Sequence, residues 1–252
     1  MKSVIIIPAR YASTRLPKKL LLCETGKPLI QHTYESALQA TLPISVTVAC
    51  DHDDIFNAVK KFGGSVRMTS PDAPSGTDRI AEVAAALDDV DIIVNVQGDE
   101  PEIAGSSIDL AVQMLIDHPD AVMSTLATPL RNLQQLEDAA CVKVVFDVQH
   151  RALYFSRSVI PHPRGGLREE QLLQSPPLFY QHIGLYAYRR EFLLRLSQLP
   201  QSDMEKTESL EQLRVLHHGY SIRVGTIDEA TPGIDTPEDY RRFVEGFAGN
   251  YD

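Results

Sequence analysis

Residues 6–19 read Ile6-Ile7-Pro8-Ala9-Arg10-Tyr11-Ala12-Ser13-Thr14-Arg15-Leu16-Pro17-Lys18-Lys19, an apolar run that stops and is followed by four cations within ten residues. The run begins at Val4 and has no polar alternation, which predicts a central parallel strand buried on both faces and ended by Pro8. In a chain of net charge -10, so local an excess of Arg10, Arg15, Lys18 and Lys19 needs a reason. A solvated charge run is one reading. The other is a phosphate-holding loop beyond the carboxyl end of the first strand, where charge-assisted contacts of about 1.5–3 kcal/mol each hold several phosphate oxygens. The loop contains no glycine, so neither the G-x-G-x-x-G fingerprint nor the G-x-x-x-x-G-K-[ST] P-loop is present.

Outward from this stretch, strands and helices alternate. A helix is expected over Leu29 to Leu38 and a strand over Val46 to Ala49. A second helix over Asp53 to Phe62, closed by Gly63-Gly64, leads to a short strand at Ser65 to Thr69. A helix over Thr77 to Leu87 and a buried strand over Asp91 to Val96 complete the series. Such alternation predicts an α/β fold with a mainly parallel, doubly wound sheet whose ligands lie beyond the carboxyl ends of the strands. Arg10 to Lys19 and Asp99 then share one edge. After a helix over Ser107 to Ile116 the pattern turns strand-rich, with runs at Val122 to Thr128, Val142 to Phe146, Ala152 to Phe155 and Ile183 to Tyr188. Added mixed or antiparallel strands are therefore expected, with a polar excursion at Pro161 to Pro177. Helices at Glu191 to Leu196 and Thr207 to Leu216, a strand at Ile222 to Gly225 and a helix after Thr236 follow. Thr236, Pro237 and Asp239 occupy cap, first-turn and capping-box positions of that last helix. No repeat or linker interrupts residues 1–252, which read as one domain.

Composition narrows the function classes. With 43% hydrophobic residues a sizeable core is expected, and the acidic balance argues against nucleic acid as a partner. Cys23, Cys50 and Cys141 are far apart and lack C-x-x-C spacing, which fits a reducing cytoplasm and neither a disulfide framework nor a zinc site. The amino-terminal apolar run is too short for a signal peptide or membrane insertion.

Specific segments carry a further signal: PARYASTRLP (8–17), GKPLI (26–30), SGTDR (75–79), VNVQGDEP (94–101), VKVV (142–145), ALYFSR (152–157), HIGLYAY (182–188), LEQLR (210–214) and DTPED (235–239). In this order, across nearly the whole chain, they resemble the 3-deoxy-manno-octulosonate (Kdo) cytidylyltransferase family, the CMP-Kdo synthetases of lipopolysaccharide biosynthesis. The resemblance implies a Rossmann-like nucleotidyltransferase, cytoplasmic and homodimeric. The implied reaction is attack of the sugar acid's anomeric hydroxyl on the α-phosphorus of CTP, releasing pyrophosphate. It places Arg10, Ser13, Arg15 and Lys19 in the CTP-binding loop, and Ser75, Thr77, Arg79 and Gln97 at the nucleotide. Asp99 and Asp235 would bind the catalytic Mg²⁺. The assigned sugar-binding residues are Arg157, His182, Tyr186, Glu211 and Gln212. This sequence departs from the family at Lys18, where glycine is usual, and at Leu20, where proline is; glycine tolerates a positive φ that lysine disfavours.

Read from chemistry alone, Asp99 is also a plain turn carboxylate, and Asp235 a helix-start residue whose role Thr236 can fill. Two acids from distant points meeting at one sheet edge suit Mg²⁺, which prefers one or two carboxylates plus phosphate oxygens and water. The period of two places His182, Gly184 and Tyr186 on one strand face, and the planar fork of Arg157 suits a carboxylate. Glu211 and Gln212 are adjacent on a helix, so they need not share a face. Two other readings stay open: a cytidylyltransferase for another sugar acid, such as the 8-amino analogue or a sialic acid, and a binding paralogue without catalysis.

Overall fold

In the computed structural model, residues 1–249 are described, and they form two compact units: residues 1–112 with 231 onward, and residues 113–230. The first unit is built on β1 (Ser3–Ala9), all of whose residues are buried. Its flanking elements are α1 (Leu29–Ala37), β2 (Pro43–Cys50), α2 (Asp53–Lys61), β3 (Val66–Met68), α3 (Gly76–Ala85), β4 (Ile92–Asn95) and α4 (Gly105–Asp117), whose last residues pass into the second unit. The strands pair in parallel in the order β3-β2-β1-β4. The crossover direction reverses between β1 and β4, and an open α/β sheet holds its ligand crevice at the carboxyl end of such a switch point.

Pro8 does not end β1. The strand continues to Ala9, pairing Pro8 with Ala49 and Ala9 with Cys50. Pairing to β4 stops at Ile6, so beyond that point β1 has one parallel neighbour and tolerates a residue without an N–H.

The C-terminal helix (Pro237–Gly249) belongs to the first unit, and its start is a reciprocal capping box. Thr236 Oγ1 accepts the Asp239 amide at 3.2 Å, while Asp239 Oδ2 accepts the Thr236 amide at 2.8 Å.

The second unit contains β5 (Met123–Pro129), α5 (Leu133–Glu137), β6 (Lys143–Phe146), β7 (Ala152–Ser156), α6 (Glu169–Leu173), β8 (Tyr180–Arg189), α7 (Arg190–Leu196), α8 (Asp203–Glu208), α9 (Gln212–His217) and β9 (Ile222–Thr226). Strand β5 is antiparallel to β8 and parallel to β9, while β6 is antiparallel to β7 and β8. The excursion 161–177 contains the short helix α6.

The helix expected over Thr207 to Leu216 is instead two helices. A Ser202–Glu205 capping box starts α8 early, and Ser209, at φ 53°, ends it in the left-handed region before α9 begins.

Candidate active site

All seven loop and strand-end residues expected at the nucleotide edge or metal pair, namely Arg10, Ser13, Arg15, Lys19, Gln97, Asp99 and Asp235, line one cavity of about 530 Å³ in the first unit. The loop that follows β1 is pinned by apolar contacts. Leu16 and Leu20 are buried, and the Lys19 amide bonds to the Leu16 carbonyl at 3.1 Å, closing a turn that carries the Lys19 side chain inward. Lys18 sits at φ 54°, ψ 29°, the left-handed geometry glycine adopts freely, so the loop keeps that shape with a lysine in it. Its ammonium lies 5.4 Å from the centre of the Tyr11 ring, a cation–π contact across the loop.

Gly98 lets the opposite wall approach. A Cβ there would stand 3.1 Å from the Pro8 carbonyl oxygen and 3.3 Å from Leu20, so the turn after β4 presses against the end of β1. Asp99 is brought to Asp235 by the main chain, because the Ile234 amide donates to the Asp99 carbonyl at 2.9 Å.

The two carboxylates converge on one cation. Lys19 Nζ lies 2.5 Å from Asp99 Oδ2 and 3.1 Å from Asp235 Oδ1, and its side chain is only 11% exposed. Arg15 lies 3.1 Å from the other Asp235 oxygen, at a far more exposed position where an ion pair contributes little. Glu100, beside Asp99, has its carboxyl pushed up to about 7 by burial and by the Asp99 charge.

The pair fits a divalent cation on this geometry. Two oxygens from separate chain segments already share one positive centre at the edge of a cavity lined by Arg10 and Arg15, leaving further coordination to substrate oxygens and water. Among the described residues no cluster of three or more His, Cys, Asp or Glu side chains is placed to hold a metal.

Three residues expected at the nucleotide do not line the cavity, whereas Gly76, between two of them, does. Ser75 caps α3, accepting the Asp78 amide at 3.0 Å. Thr77 is buried in the first turn of that helix. Arg79 is buried, with its guanidinium on the Thr69 hydroxyl, the Ser70 carbonyl and Asp51. Desolvation lowers its pKa, opposed by Asp51.

The residues expected to meet the sugar lie in the second unit. His182 and Tyr186 share a face of β8, with ring centroids 5.4 Å apart. The strand bulges between them: Thr125 pairs with Tyr186 while Leu126 pairs with Ile183, so Gly184 and Leu185 form the bulge rather than a plain alternation. The Thr125 hydroxyl lies 3.0 and 2.9 Å from the Ile183 and Leu185 carbonyls and 2.9 Å from His182 Nε2. Burial drives the His182 pKa down to about 3, so the ring is neutral at physiological pH.

Gln212 is 4% exposed and its Nε2 has no hydrogen-bond partner, whereas Glu211 stands at the N-cap of α9 and is half-buried. The Arg157 fork, expected to meet a carboxylate, holds main-chain carbonyls: Nε donates to Glu208 at 2.7 Å and Nη1 to Ala139 at 3.0 Å. Lys143, fully buried, grips the Arg157 carbonyl at 2.6 Å along with those of Asp138 and Cys141. Lys143 had no sequence signal, for no spacing marks an ammonium that binds only carbonyls.

A parallel α/β sheet with a cation-lined cavity at its switch point and two convergent carboxylates defines a nucleotide-handling enzyme of the phosphoryl-group-transfer class. The comparisons with known proteins narrow it. Residues 4–222 match the cytidylyltransferase family. The 3-deoxy-manno-octulosonate cytidylyltransferase of Rhodopirellula baltica is 49% identical over 97% of this chain and 98% of its own. That of Geotalea daltonii is 48% identical over 97% and 98%. A solved CMP:2-keto-3-deoxy-manno-octonic acid synthetase complexed with CTP superposes with a TM-score of 0.91 at 42% identity, covering 99% of this chain and 100% of that one. The 4-diphosphocytidyl-2C-methyl-D-erythritol synthase of Anaerococcus prevotii, at 13% identity and TM-score 0.61 over 98% and 96%, shares the fold. The chain belongs to the cytidylyltransferase family, among the 3-deoxy-manno-octulosonate cytidylyltransferases.

Proposed function

We propose that the protein transfers CMP from CTP to the anomeric hydroxyl of Kdo, forming CMP-Kdo for lipopolysaccharide biosynthesis. The hydroxyl oxygen bonds to the α-phosphorus, the bond to the β-phosphate oxygen breaks, pyrophosphate departs and the hydroxyl proton passes to solvent. The observation that carries this reading is the convergence of Asp99 and Asp235 on Lys19 inside the cavity that Arg10 and Arg15 also line.

In this reading Arg10, Ser13, Arg15 and Lys19 hold the triphosphate, and the cations offset negative charge on the departing pyrophosphate. Gln97 lines the same cavity and faces the ribose or base, while Ser75, Thr77 and Arg79 support that wall. Asp99 and Asp235 hold Mg²⁺, which supplies charge neutralisation at the phosphate oxygens when bound.

The sugar acid is assigned to the second unit, to Arg157, His182, Tyr186, Glu211 and Gln212. Neutral His182 offers hydrogen bonds without charge, and the unpaired amide of buried Gln212 seeks an oxygen acceptor. A cytoplasmic homodimer completes the proposal. No described helix is long and apolar enough to cross a membrane.

The test is pyrophosphate release from CTP and Mg²⁺ with Kdo, its 8-amino analogue or a sialic acid as acceptor. Kdo should give the highest kcat/KM. A preference for either other acid, or CTP binding without turnover, would replace this reading with one of its two alternatives.

A further inference from the structure

The carboxylate of Asp51 stands at the carboxyl end of β2, on the same sheet edge as the CTP loop, yet it does not line the cavity. Its two oxygens face different partners. Oδ1 accepts the Tyr11 amide at 2.9 Å, and Oδ2 receives the buried Arg79 guanidinium at 3.1 Å. Arg79 is 1% exposed and is itself held by Thr69 and Ser70, so the acid is fixed from behind by a cation that cannot swing into solvent.

The next residue grips the same target by its ring. His52 stacks on Tyr11 with centroids 3.7 Å apart and planes 11° from parallel. Lys18 covers the Tyr11 ring at 5.4 Å, and its pKa is raised by the hydrogen bond to the Tyr11 hydroxyl. Tyr11 is thus held by its amide, by one ring face against His52 and by a cation from the far end of its own loop. Arg10, immediately before it, carries a phosphate-binding side chain in the proposed reaction, and Ser13 and Arg15 follow within four residues.

We propose that Asp51, fixed by Arg79, is a positioning residue that sets the CTP loop through the Tyr11 amide, with His52 as its second hold. The inference rests on the CTP-dependent reading above. A misplaced loop loses triphosphate contacts without altering the sugar-acid residues, so the defect belongs in the KM for CTP.

The test compares Asp51→Ala, Asp51→Asn, His52→Ala and Thr69→Val in steady-state kinetics well below each melting temperature. Asp51→Ala should raise the KM for CTP about tenfold while the KM for the sugar acid stays within about twofold. Asp51→Asn keeps an oxygen that accepts the Tyr11 amide and should hold the KM for CTP within about threefold of wild type. Thr69→Val removes one Arg79 partner but keeps Ser70, Asp51 and the Tyr11 bond; it should lower Tm and raise the KM for CTP by less than Asp51→Ala does.

A KM for CTP in Asp51→Ala within about twofold of wild type, or an equal loss in Asp51→Asn, would overturn the proposal. If Asp51→Ala does not fold, His52→Ala decides: a rise of about threefold in the KM for CTP supports the clamp, and no change rejects it. Failure of the CTP reading is seen separately, as wild-type protein that binds no CTP in calorimetry. Wild-type binding without turnover moves the same comparison to Kd for CTP.

Discussion

The ammonium of Lys19 stands 2.5 Å from Oδ2 of Asp99, so a residue of the loop after β1 and one of the turn after β4 meet as an ion pair whose cation is nearly buried. Asp235 joins them at 3.1 Å. A cation is thus already fixed where both carboxylates point.

Asp99→Asn and Asp235→Asn should each lower kcat by about 100-fold or more, because the amide keeps the shape but gives up the charge a metal requires. Circular dichroism should stay close to wild type, since in each variant the remaining carboxylate still pairs with Lys19. Near wild-type kcat at saturating Mg²⁺ in pyrophosphate release would remove both residues from the metal role.

Lys18→Gly and Lys19→Gly should separate shape from charge. The left-handed backbone at Lys18 suits glycine, so Lys18→Gly should keep the KM for CTP within about threefold and shift Tm by no more than about 3 °C. Lys19→Gly should raise the KM for CTP about tenfold or more. A larger loss at Lys18 would show that its side chain, not that of Lys19, meets the phosphates.

In the second unit Arg214 and Glu205 form a two-pronged pair with both side chains under 10% exposed, at 2.9 Å for Nε to Oε2 and 2.5 Å for Nη2 to Oε1. Glu205→Gln leaves a buried guanidinium short of its counter-charge and should cost about 3 kcal/mol in denaturant unfolding. A change below about 1 kcal/mol would mean that water or a neighbouring carbonyl takes over.

His182 predicts a pH signature. Its folded pKa of about 3 lies below the ordinary histidine value near 6.5, so between these values the unfolded chain binds a proton that the folded chain does not. Its contribution to stability is full above pH 6.5 and falls as pH drops, by about 1.4 kcal/mol per unit once the unfolded side chain is protonated. His182→Gln should flatten that slope by one proton in unfolding curves taken from pH 7 to pH 4.5. Parallel slopes for the two proteins would place the acid sensitivity elsewhere.

The buried run before Pro8, the alternating helices and the strand ending at Asn95 made the parallel sheet legible in the sequence, because two-sided burial leaves an apolar run that loops cannot imitate. The same rule placed Arg10, Lys19 and Asp99 on one edge, and Thr236 with Asp239 announced the helix that follows Asp235. The same rule applies to Asp51, an acid just beyond the end of β2.

Other features had no local signal. The break at Ser209 depends on one left-handed residue in a helical pattern, and the bulge at Gly184 and Leu185 on carbonyls that only Thr125, from another strand, can satisfy. The partners of Arg79 and Arg157 were also out of reach. A guanidinium can serve phosphate, carboxylate or backbone carbonyls, and which one it meets depends on what packing brings within reach.

By itself, then, the sequence determined the parallel sheet, the edge at which chemistry can occur and the residue types gathered there, since these follow from periodicity and from strand-end position. Only the tertiary structure decided that Asp99 and Asp235 meet on Lys19, that Asp51 grips Tyr11 and that Lys18 takes the left-handed turn. The first two are distances between segments far apart in the chain, and the third is a backbone conformation that lysine disfavours, so all are set by packing rather than by local preference.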